Sequence, residues 1–196
     1  MSTRALVFPP NFKLVLYAMA VMIAMQLLGS VIGLPVGRLG IIPHNEYYLS
    51  GVITAPFVHG SWGHLMSNLL GLSISGYLAA RLPKFKSATL LILVATGLLV
   101  WLFAGSGNHI GASGLVMGYF GLLLGAALFN RNVLGVLSFI ALLVLTYYAN
   151  ISFLATLLDF SAQTSSSSHI FGFISGMGAA YLTRQKRVSN KNKVAR

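Results

Sequence analysis

The sequence predicts an all-α protein that crosses a membrane with six transmembrane helices. Two observations lead to this prediction: the composition and the spacing of the charged residues. Of the 196 residues, 56% are hydrophobic and only 8% are charged, and the mean hydropathy is +0.81. Soluble domains are about one quarter charged, so this composition is typical of membrane proteins.

Long uncharged segments divide the chain into candidate helices. A helix rises about 1.5 Å per residue, so about 20 residues cross a hydrocarbon core of roughly 30 Å. The uncharged segments are residues 14–37, 47–80, 87–130, 132–158 and 160–183. Four of them suit one crossing each, and the longest suits two, with a turn at the polar sequence GSGNH (105–109).

Each helix then has an expected position and a turn that ends it. In chain order, the helices are expected at about 14–34, 63–80, 87–104, 110–129, 133–152 and 168–183. RLPKFK (81–86) and NRN (130–132) form inner turns, and DFSAQTSSSS (159–168) forms an outer loop. A long outer segment, about 35–62, is expected to lie on or partly within the outer leaflet. Its apolar, proline-containing backbone is tolerated at membrane depth only where it is buried in protein or lines a wet cavity.

The distribution of basic residues predicts the orientation. If the amino terminus is cytoplasmic and each helix reverses direction, twelve of the 13 Lys and Arg residues fall on the cytoplasmic side, and only Arg38 falls outside. This bias follows the positive-inside rule. We therefore expect a multi-pass protein of the cell (inner) membrane with both termini in the cytoplasm. The basic tail is expected to contact anionic lipid of the bilayer and not nucleic acid.

The chain is expected to contain one membrane domain with short flanking segments. These are a cytoplasmic amino terminus (1–13), a six-helix domain (14–183) and a basic cytoplasmic tail (184–196). The first hydrophobic segment is too long for a signal-peptide core, so we expect it to be retained. The sequence has no cysteine, which excludes disulfides, a thiol nucleophile and thiolate metal sites.

Three polar groups interrupt the apolar helices. They are HGSWGHLMSN (59–68), with His59, His64 and Asn68; GASG (111–114), with Ser113; and HIFGFISG (169–176), with His169. Polar side chains inside a bilayer are costly, which makes them candidates for function. Taken singly, each is more simply explained by packing, and Gly172 and Gly176 alone indicate a small-residue helix contact. The expected topology, however, brings the amino-terminal ends of the second, fourth and sixth helices to the same outer depth.

A serine, a histidine and amide donors at one depth are typical of nucleophilic catalysis. Histidine has a pKa near neutrality and can remove the serine proton, while amide and backbone N–H groups can stabilise an oxyanion. Neither acidic residue, Glu46 or Asp159, shares a helix with the candidates, so we expect a Ser–His dyad and no triad. A zinc site at the three histidines is the alternative. No HExxH or similar spacing supports it, and no metal or other cofactor is expected.

The three motifs, arranged over six helices, resemble those of the rhomboid family of intramembrane serine proteases. The resemblance covers about residues 14–183. It rests on H-x4-H-x3-N leading into the second helix, G-x-S-G opening the fourth and H-x2-G-x3-G in the sixth. It implies a serine endopeptidase that cleaves transmembrane segments of membrane proteins near the outer face and uses no cofactor.

The resemblance also implies a role for each site residue. Ser113 would be the nucleophile and His169 the general base, which later protonates the leaving amine. The oxyanion hole would consist of Asn68, His64 and the Ser113 backbone N–H. The remaining residues are implied in supporting roles: Gly111 beside the oxyanion hole, His59 before the second helix, and Gly172 and Gly176 where the sixth helix approaches the fourth.

Two positions depart from the pattern of the family. Many relatives carry a Trp–Arg pair where this chain has Ser50 and Gly51, and an aromatic residue where it has Met117. A methionine there could make a sulfur–aromatic contact instead. Neither position supplies a reacting group, so the prediction of an enzyme is kept.

Three alternatives remain open. A catalytically silent rhomboid-like protein that binds or escorts membrane proteins predicts loss of Ser113 or His169, and both are present. A small transporter predicts inverted repeats or charges at mid-membrane, and the sequence shows neither. A specialised processing rhomboid for one sorting signal has the same residues as a general protease.

Overall fold

A computed structural model describes residues 8–130, 133–148 and 166–184. Expectations for residues 1–7, 131–132, 149–165 and 185–196 lie outside the described residues. They concern most of the two flanking segments, the end of the fifth helix, Asp159 and most of the loop 159–168.

The described part of the chain is all-helical, which confirms the predicted secondary-structure class. It contains six long helices: α1 (Phe12–Ser30), α2 (Trp62–Ala79), α3 (Phe85–Phe103), α4 (Ser113–Gly125), α5 (Val133–Tyr148) and α6 (Ser166–Thr183). The extended pairing within the described ranges is a single isolated antiparallel bridge between Ile41 and His109.

The helix boundaries differ from expectation where local backbone chemistry intervenes. α1 ends at Ser30 because Gly33 takes a left-handed φ of +76°, and α4 begins only at Ser113 because Gly111 has a φ of +109°. α6 begins at Ser166, so the end of the serine run is helical and does not belong to a loop. At its other end, α4 continues into a π-helical turn, Ala126–Asn130.

Two of the six helices, α1 and α3, have both the length and the apolar composition needed to cross a membrane. α4 and α5 are apolar but shorter. α2 and α6 are 18 residues long, but they carry the polar and small residues of the predicted site, which lower their hydropathy. The number of membrane spans, six, therefore remains a prediction. Large side chains such as Leu90, Leu137 and Tyr181 point outward from the bundle.

The outer segment folds against α3 through short helical turns. These turns are Val36–Leu39, Glu46–Tyr48, Gly51–Thr54 and Ala55–Phe57. The His44 ring bonds to the Leu102 carbonyl oxygen over 2.8 Å, and the Trp101 indole N–H donates to the Asn45 carbonyl oxygen over 3.1 Å. These bonds fasten the segment to the end of α3.

Glycine explains how the outer segment packs without the Trp–Arg pair. A methyl group on Gly51 would overlap the carbonyl of Gly40, so the helical turn at Gly51 lies directly on that backbone. The Thr54 hydroxyl donates to the Leu39 carbonyl oxygen over 2.6 Å. A β-carbon on Gly97 of α3 would come within 2.6 Å of the Val52 carbonyl oxygen. At this position, close backbone contact takes the place of a large side chain.

α4 and α6 pack with their backbones in contact. A methyl group on Gly172 would overlap the carbonyl oxygen of Gly114, and one on Gly176 would overlap that of Gly118. Gly121 of α4 similarly lies against the Phe173 carbonyl. Small residues at four-residue spacing let helices approach this closely. The contact holds the first turns of α4 and α6 side by side.

Replacing Gly176 by alanine is expected to destabilise the protein. The added methyl group would force the helices apart, and overpacking of this kind costs about 1–3 kcal/mol. Gly178, on the same helix, has nothing within 4 Å of an added β-carbon. Gly178→Ala should therefore be neutral or stabilising by up to about 1 kcal/mol, because alanine favours helix. Thermal unfolding in detergent tests the pair, and equal midpoints for the two variants would contradict the packing argument.

Candidate active site

The loop that leads into α4 is held by backbone bonds to the outer segment. Ile41 and His109 exchange two N–H to carbonyl bonds of 3.0 and 2.8 Å. The Gly111 N–H donates to the Ala55 carbonyl oxygen over 3.0 Å. Buried polar backbone needs such partners, so these bonds fix the path of the chain just before Ser113.

Ser113 is the first residue of α4 and is half-buried. The first N–H groups of a helix have no acceptor within the helix. They carry partial positive charge and can bind an anion that forms beside them. A hydroxyl at this position is therefore adjacent to donors suited to an oxyanion.

His59 lies in the turn before α2 and is only 5% exposed. Its Nε2 accepts a hydrogen bond from the Ala112 N–H over 3.3 Å, and its ring lies 5.0 Å from that of His64. Burial, and secondarily the nearby His64, lowers the pKa of His59 to about 4. The ring is therefore neutral at neutral pH, as an acceptor must be. Its Nδ1 is buried and has no hydrogen-bond partner in the described part of the chain.

His64 and Asn68 lie one turn apart on α2, on one face of that helix. Ser61 caps the helix, since its hydroxyl accepts from the His64 N–H over 3.1 Å. Asn68 is 4% exposed, and its amide donates to the His64 carbonyl oxygen over 3.0 Å. A β-carbon on Gly111 would lie 2.6 Å from the His64 ring and 3.6 Å from the Asn68 amide nitrogen. Both side chains therefore lie against the backbone two residues before Ser113.

His169 lies in the first turn of α6 and is 4% exposed. Its chain neighbour Ser168 meets α4, because a β-carbon on Gly114 would lie 3.2 Å from the Ser168 carbonyl oxygen. Gly172, almost one turn after His169, lies on the Gly114 backbone. The residues that flank Ser113 and His169 are thus in direct contact.

The structure therefore brings His59, His64, Asn68, Gly111, Ser113 and His169 to one end of the helix bundle. Gly172 and Gly176 lie below them along α6 and form the contact with α4.

A small cavity adjoins the residues that flank Ser113. Gly111 and Gly114 of the GASG motif line it, together with Ser168 and Thr96. The Thr96 hydroxyl oxygen is buried and has no hydrogen-bond partner among the described residues. Most of the remaining lining is apolar, from the outer segment and α3.

The two departures from the rhomboid pattern lie in different surroundings. Met117 is 2% exposed within α4 and is therefore a packed side chain. Ser50 is exposed and begins the helical turn whose Gly51 lies against Gly40.

Sequence reasoning missed the residues that hold the loop before α4. Asn108 lies in GSGNH, which was predicted only to form a turn, and its amide donates to the Gly37 carbonyl oxygen over 2.8 Å. A polar residue in a glycine-rich turn is too common a pattern to mark this contact. The pairing of Ile41 with His109 joins residues 68 positions apart, and no local signal indicated it.

The zinc alternative finds no ligand cluster in the described ranges. No group of three or more His, Cys, Asp or Glu side chains there is arranged to hold a metal ion. His59, His64 and His169 do not form such a group, although His59 and His64 are close together.

Comparison with known proteins agrees with the motifs. A family model described as a rhomboid domain matches residues 46–186. Uncharacterized proteins of Mycobacterium bovis (Mb1372) and Mycobacterium tuberculosis (Rv1337) are each 35% identical over 177 residues, which cover 86% of this chain and 73% of theirs. An uncharacterized protein of Mycobacterium leprae (ML1171) is 33% identical over 143 residues, covering 68% of this chain and 56% of its own.

The chain belongs to the rhomboid family. This confirms the resemblance that the three motifs predicted. The family is embedded in membranes and generally consists of serine proteases. Membership therefore accounts for the apolar helices and for a polar site at one end of the bundle.

Acidification is expected to destabilise the native protein through His59. The folded-state pKa of about 4 lies below the ordinary 6.5, so the unfolded state binds the proton first. This contribution to stability is intact above pH 6.5 and is lost as the pH falls toward 4. It amounts to at most about 3 kcal/mol.

Thermal unfolding of wild type and His59→Gln at pH 7 and pH 5 measures this effect. Glutamine can keep an acceptor near the position of Nε2 but does not titrate, so its midpoint should fall less between the two pH values. His44→Asn is the control for loss of an exposed imidazole at a left-handed φ that asparagine tolerates. Because it also removes the bond to the Leu102 carbonyl, its midpoints are compared with each other at the two pH values and not with wild type at one pH. If the midpoints of wild type and His59→Gln fall by the same amount between pH 7 and pH 5, the loss of stability in acid is not due to His59.

Proposed function

We propose that the protein is an intramembrane serine endopeptidase that cleaves transmembrane segments of membrane proteins near the outer face. The main support is the contact between the first turns of α4 and α6, which joins residues adjacent to Ser113 and His169. Membership in a family that generally consists of serine proteases gives independent support.

In the proposed reaction, Ser113 and His169 form a catalytic dyad. His169 removes the proton from the Ser113 hydroxyl as its Oγ attacks the scissile carbonyl carbon. The tetrahedral intermediate collapses, the peptide C–N bond breaks, and His169 gives the proton to the leaving amine. Water then attacks the acyl-enzyme with His169 again as base. This step releases the new carboxyl terminus and restores the Ser113 hydroxyl.

The negative oxygen of the intermediate would be stabilised by Asn68, His64 and the Ser113 backbone N–H. Preorganised donors are effective where water is largely excluded, and Asn68 is almost fully buried. Both side chains lie against Gly111, next to the start of α4. His59 would keep that loop in place through its bond from the Ala112 N–H.

The proposed setting is the cell (inner) membrane, with six spans and both termini in the cytoplasm. The twelve-to-one distribution of basic residues supports this orientation. The substrates would be transmembrane proteins, which reach the site laterally from the bilayer. No metal or other cofactor and no nucleic acid takes part in the proposed reaction.

A fluorophosphonate probe tests for an activated serine. The detergent-solubilised protein should be labelled. Labelling should disappear in Ser113→Ala, which lacks the nucleophile, and fall sharply in His169→Ala, which lacks the base. Ser106→Ala, in the exposed turn before α4, should label like wild type. Equal labelling of wild type and Ser113→Ala would refute the proposal, and a chain that is never labelled would favour a protein that binds membrane proteins without cutting them.

The contribution of Asn68 can be measured with a model transmembrane substrate. Asn68→Ala should lower the cleavage rate by about 10²–10³, the usual loss for one oxyanion donor. Ser67→Ala is the matched control, because Ser67 is exposed and bonds only to the same His64 carbonyl. Cleavage by Asn68→Ala at the wild-type rate would show that Asn68 serves packing alone.

A further inference from the structure

A second cavity lies between α1 and α3. It adjoins the cavity beside the candidate site, because Pro56, Leu93 and Leu115 line both. α1 contributes Leu14, Ala18 and Met22 to its wall, and α3 contributes Lys86, Thr89 and Leu90. Leu14 is 42% exposed and Leu90 is 60% exposed, so the cavity opens sideways between the two helices. In a membrane-embedded protein this opening faces lipid.

The chemistry of the wall suits a hydrocarbon chain. The surface is almost entirely apolar, and its one pair of hydroxyls, Thr89 and Tyr119, already bond to each other over 3.2 Å. Water needs two to four polar partners to occupy a cavity, and this wall offers few. A hydrocarbon chain from the bilayer is therefore a better occupant than water.

The length of the cavity matches that of one acyl chain. Leu14 and Met22 are eight residues apart on α1, which is about 12 Å. One leaflet contributes about 15 Å of the roughly 30 Å hydrocarbon core.

One end of the cavity carries positive charge. Lys86 lines that end, and Lys13 precedes Leu14 on α1. The Asn11 side chain donates to the Ala80 carbonyl oxygen over 3.4 Å, which ties the start of α1 to the end of α2, four residues before Lys84 in the chain. The two acidic residues of the sequence, Glu46 and Asp159, lie in neither α1, α2 nor α3. These helices therefore offer the lysines no carboxylate partner.

We propose that this cavity binds an anionic phospholipid, with one acyl chain between α1 and α3 and the phosphate at Lys86. Basic pockets between helices on the cytoplasmic side bind anionic headgroups in this manner. This inference rests on the same orientation in the membrane as the proposed function, with both termini in the cytoplasm. It does not require that the protein hydrolyse peptide bonds. Leu115 and Tyr119 of α4 also line the cavity, so the lipid would contact the helix that begins at Ser113.

Retention of lipid by the purified full-length chain tests the proposal. Native mass spectrometry would compare phosphatidylglycerol with phosphatidylcholine of identical acyl chains, and inorganic phosphate alone, in the Ser113→Ala background. Because this variant lacks the proposed nucleophile, lipid binding is measured independently of proteolysis. We expect one phosphatidylglycerol to be retained saturably, phosphatidylcholine at least fivefold less well, and phosphate alone not at all.

Two pairs of variants locate the site. Ala18→Phe fills the cavity and should reduce retention at least tenfold, whereas Ala20→Phe, exposed on the same helix, should leave it unchanged. Lys86→Gln should weaken retention about fivefold, the effect of one lysine at a lipid surface. Lys84→Gln removes the same charge outside the cavity wall and should change retention less than twofold.

Three outcomes would overturn the proposal. One is equal retention of the two phospholipids, and another is equal retention by Ala18→Phe and Ala20→Phe. The third is a change of oligomeric state in Ala18→Phe without loss of lipid, which would indicate that a second copy of the chain fills the cavity. Lys86 is exposed, so Lys86→Gln keeps the test valid even if Ala18→Phe does not fold.

Discussion

The site depends on the backbone contact between α4 and α6. Gly114 and Gly118 of α4 meet Gly172 and Gly176 of α6, and Gly121 meets the Phe173 backbone, with no room for a methyl group at the closest points. At this distance the first turns of the two helices adjoin, and the residues that flank Ser113 and His169 touch. Hydrophobic attraction does not drive helix association in lipid, so close packing of small residues supplies the main attraction. The same glycines that bring the helices together therefore also determine the site.

Burial requires that the polar groups around this contact be neutral or bonded. His59 meets this requirement because burial keeps its ring neutral, and its Nε2 accepts the Ala112 N–H. Asn68 meets it through the His64 carbonyl. A buried carboxylate would carry a large desolvation penalty without a paired cation, and no carboxylate is found in α1 to α6 as described. Reaction by serine and histidine alone is consistent with this environment.

The outer segment supports the site from the other side. Its backbone pairs with the loop before α4 at Ile41 and at Ala55, and its glycines let it lie directly on neighbouring backbone. The long, proline-containing stretch thus has a structural purpose that its composition did not reveal. At Gly51 and Gly40 it packs by close backbone contact.

The sequence alone determined the family and the all-helical class, and it predicted the candidate site residues, which the structure brings to one end of the bundle. Uncharged segments indicated the helices because lipid excludes charge, and the three motifs indicated the family because their residue types serve one kind of chemistry. The tertiary structure decided the exact ends of α1 and α4, where Gly33 and Gly111 adopt left-handed backbone that no hydropathy pattern reports. It also decided which backbones touch and where the cavity between α1 and α3 opens. Such contacts join residues far apart in the chain, and they depend on how the surfaces of whole helices fit together, which local sequence does not encode.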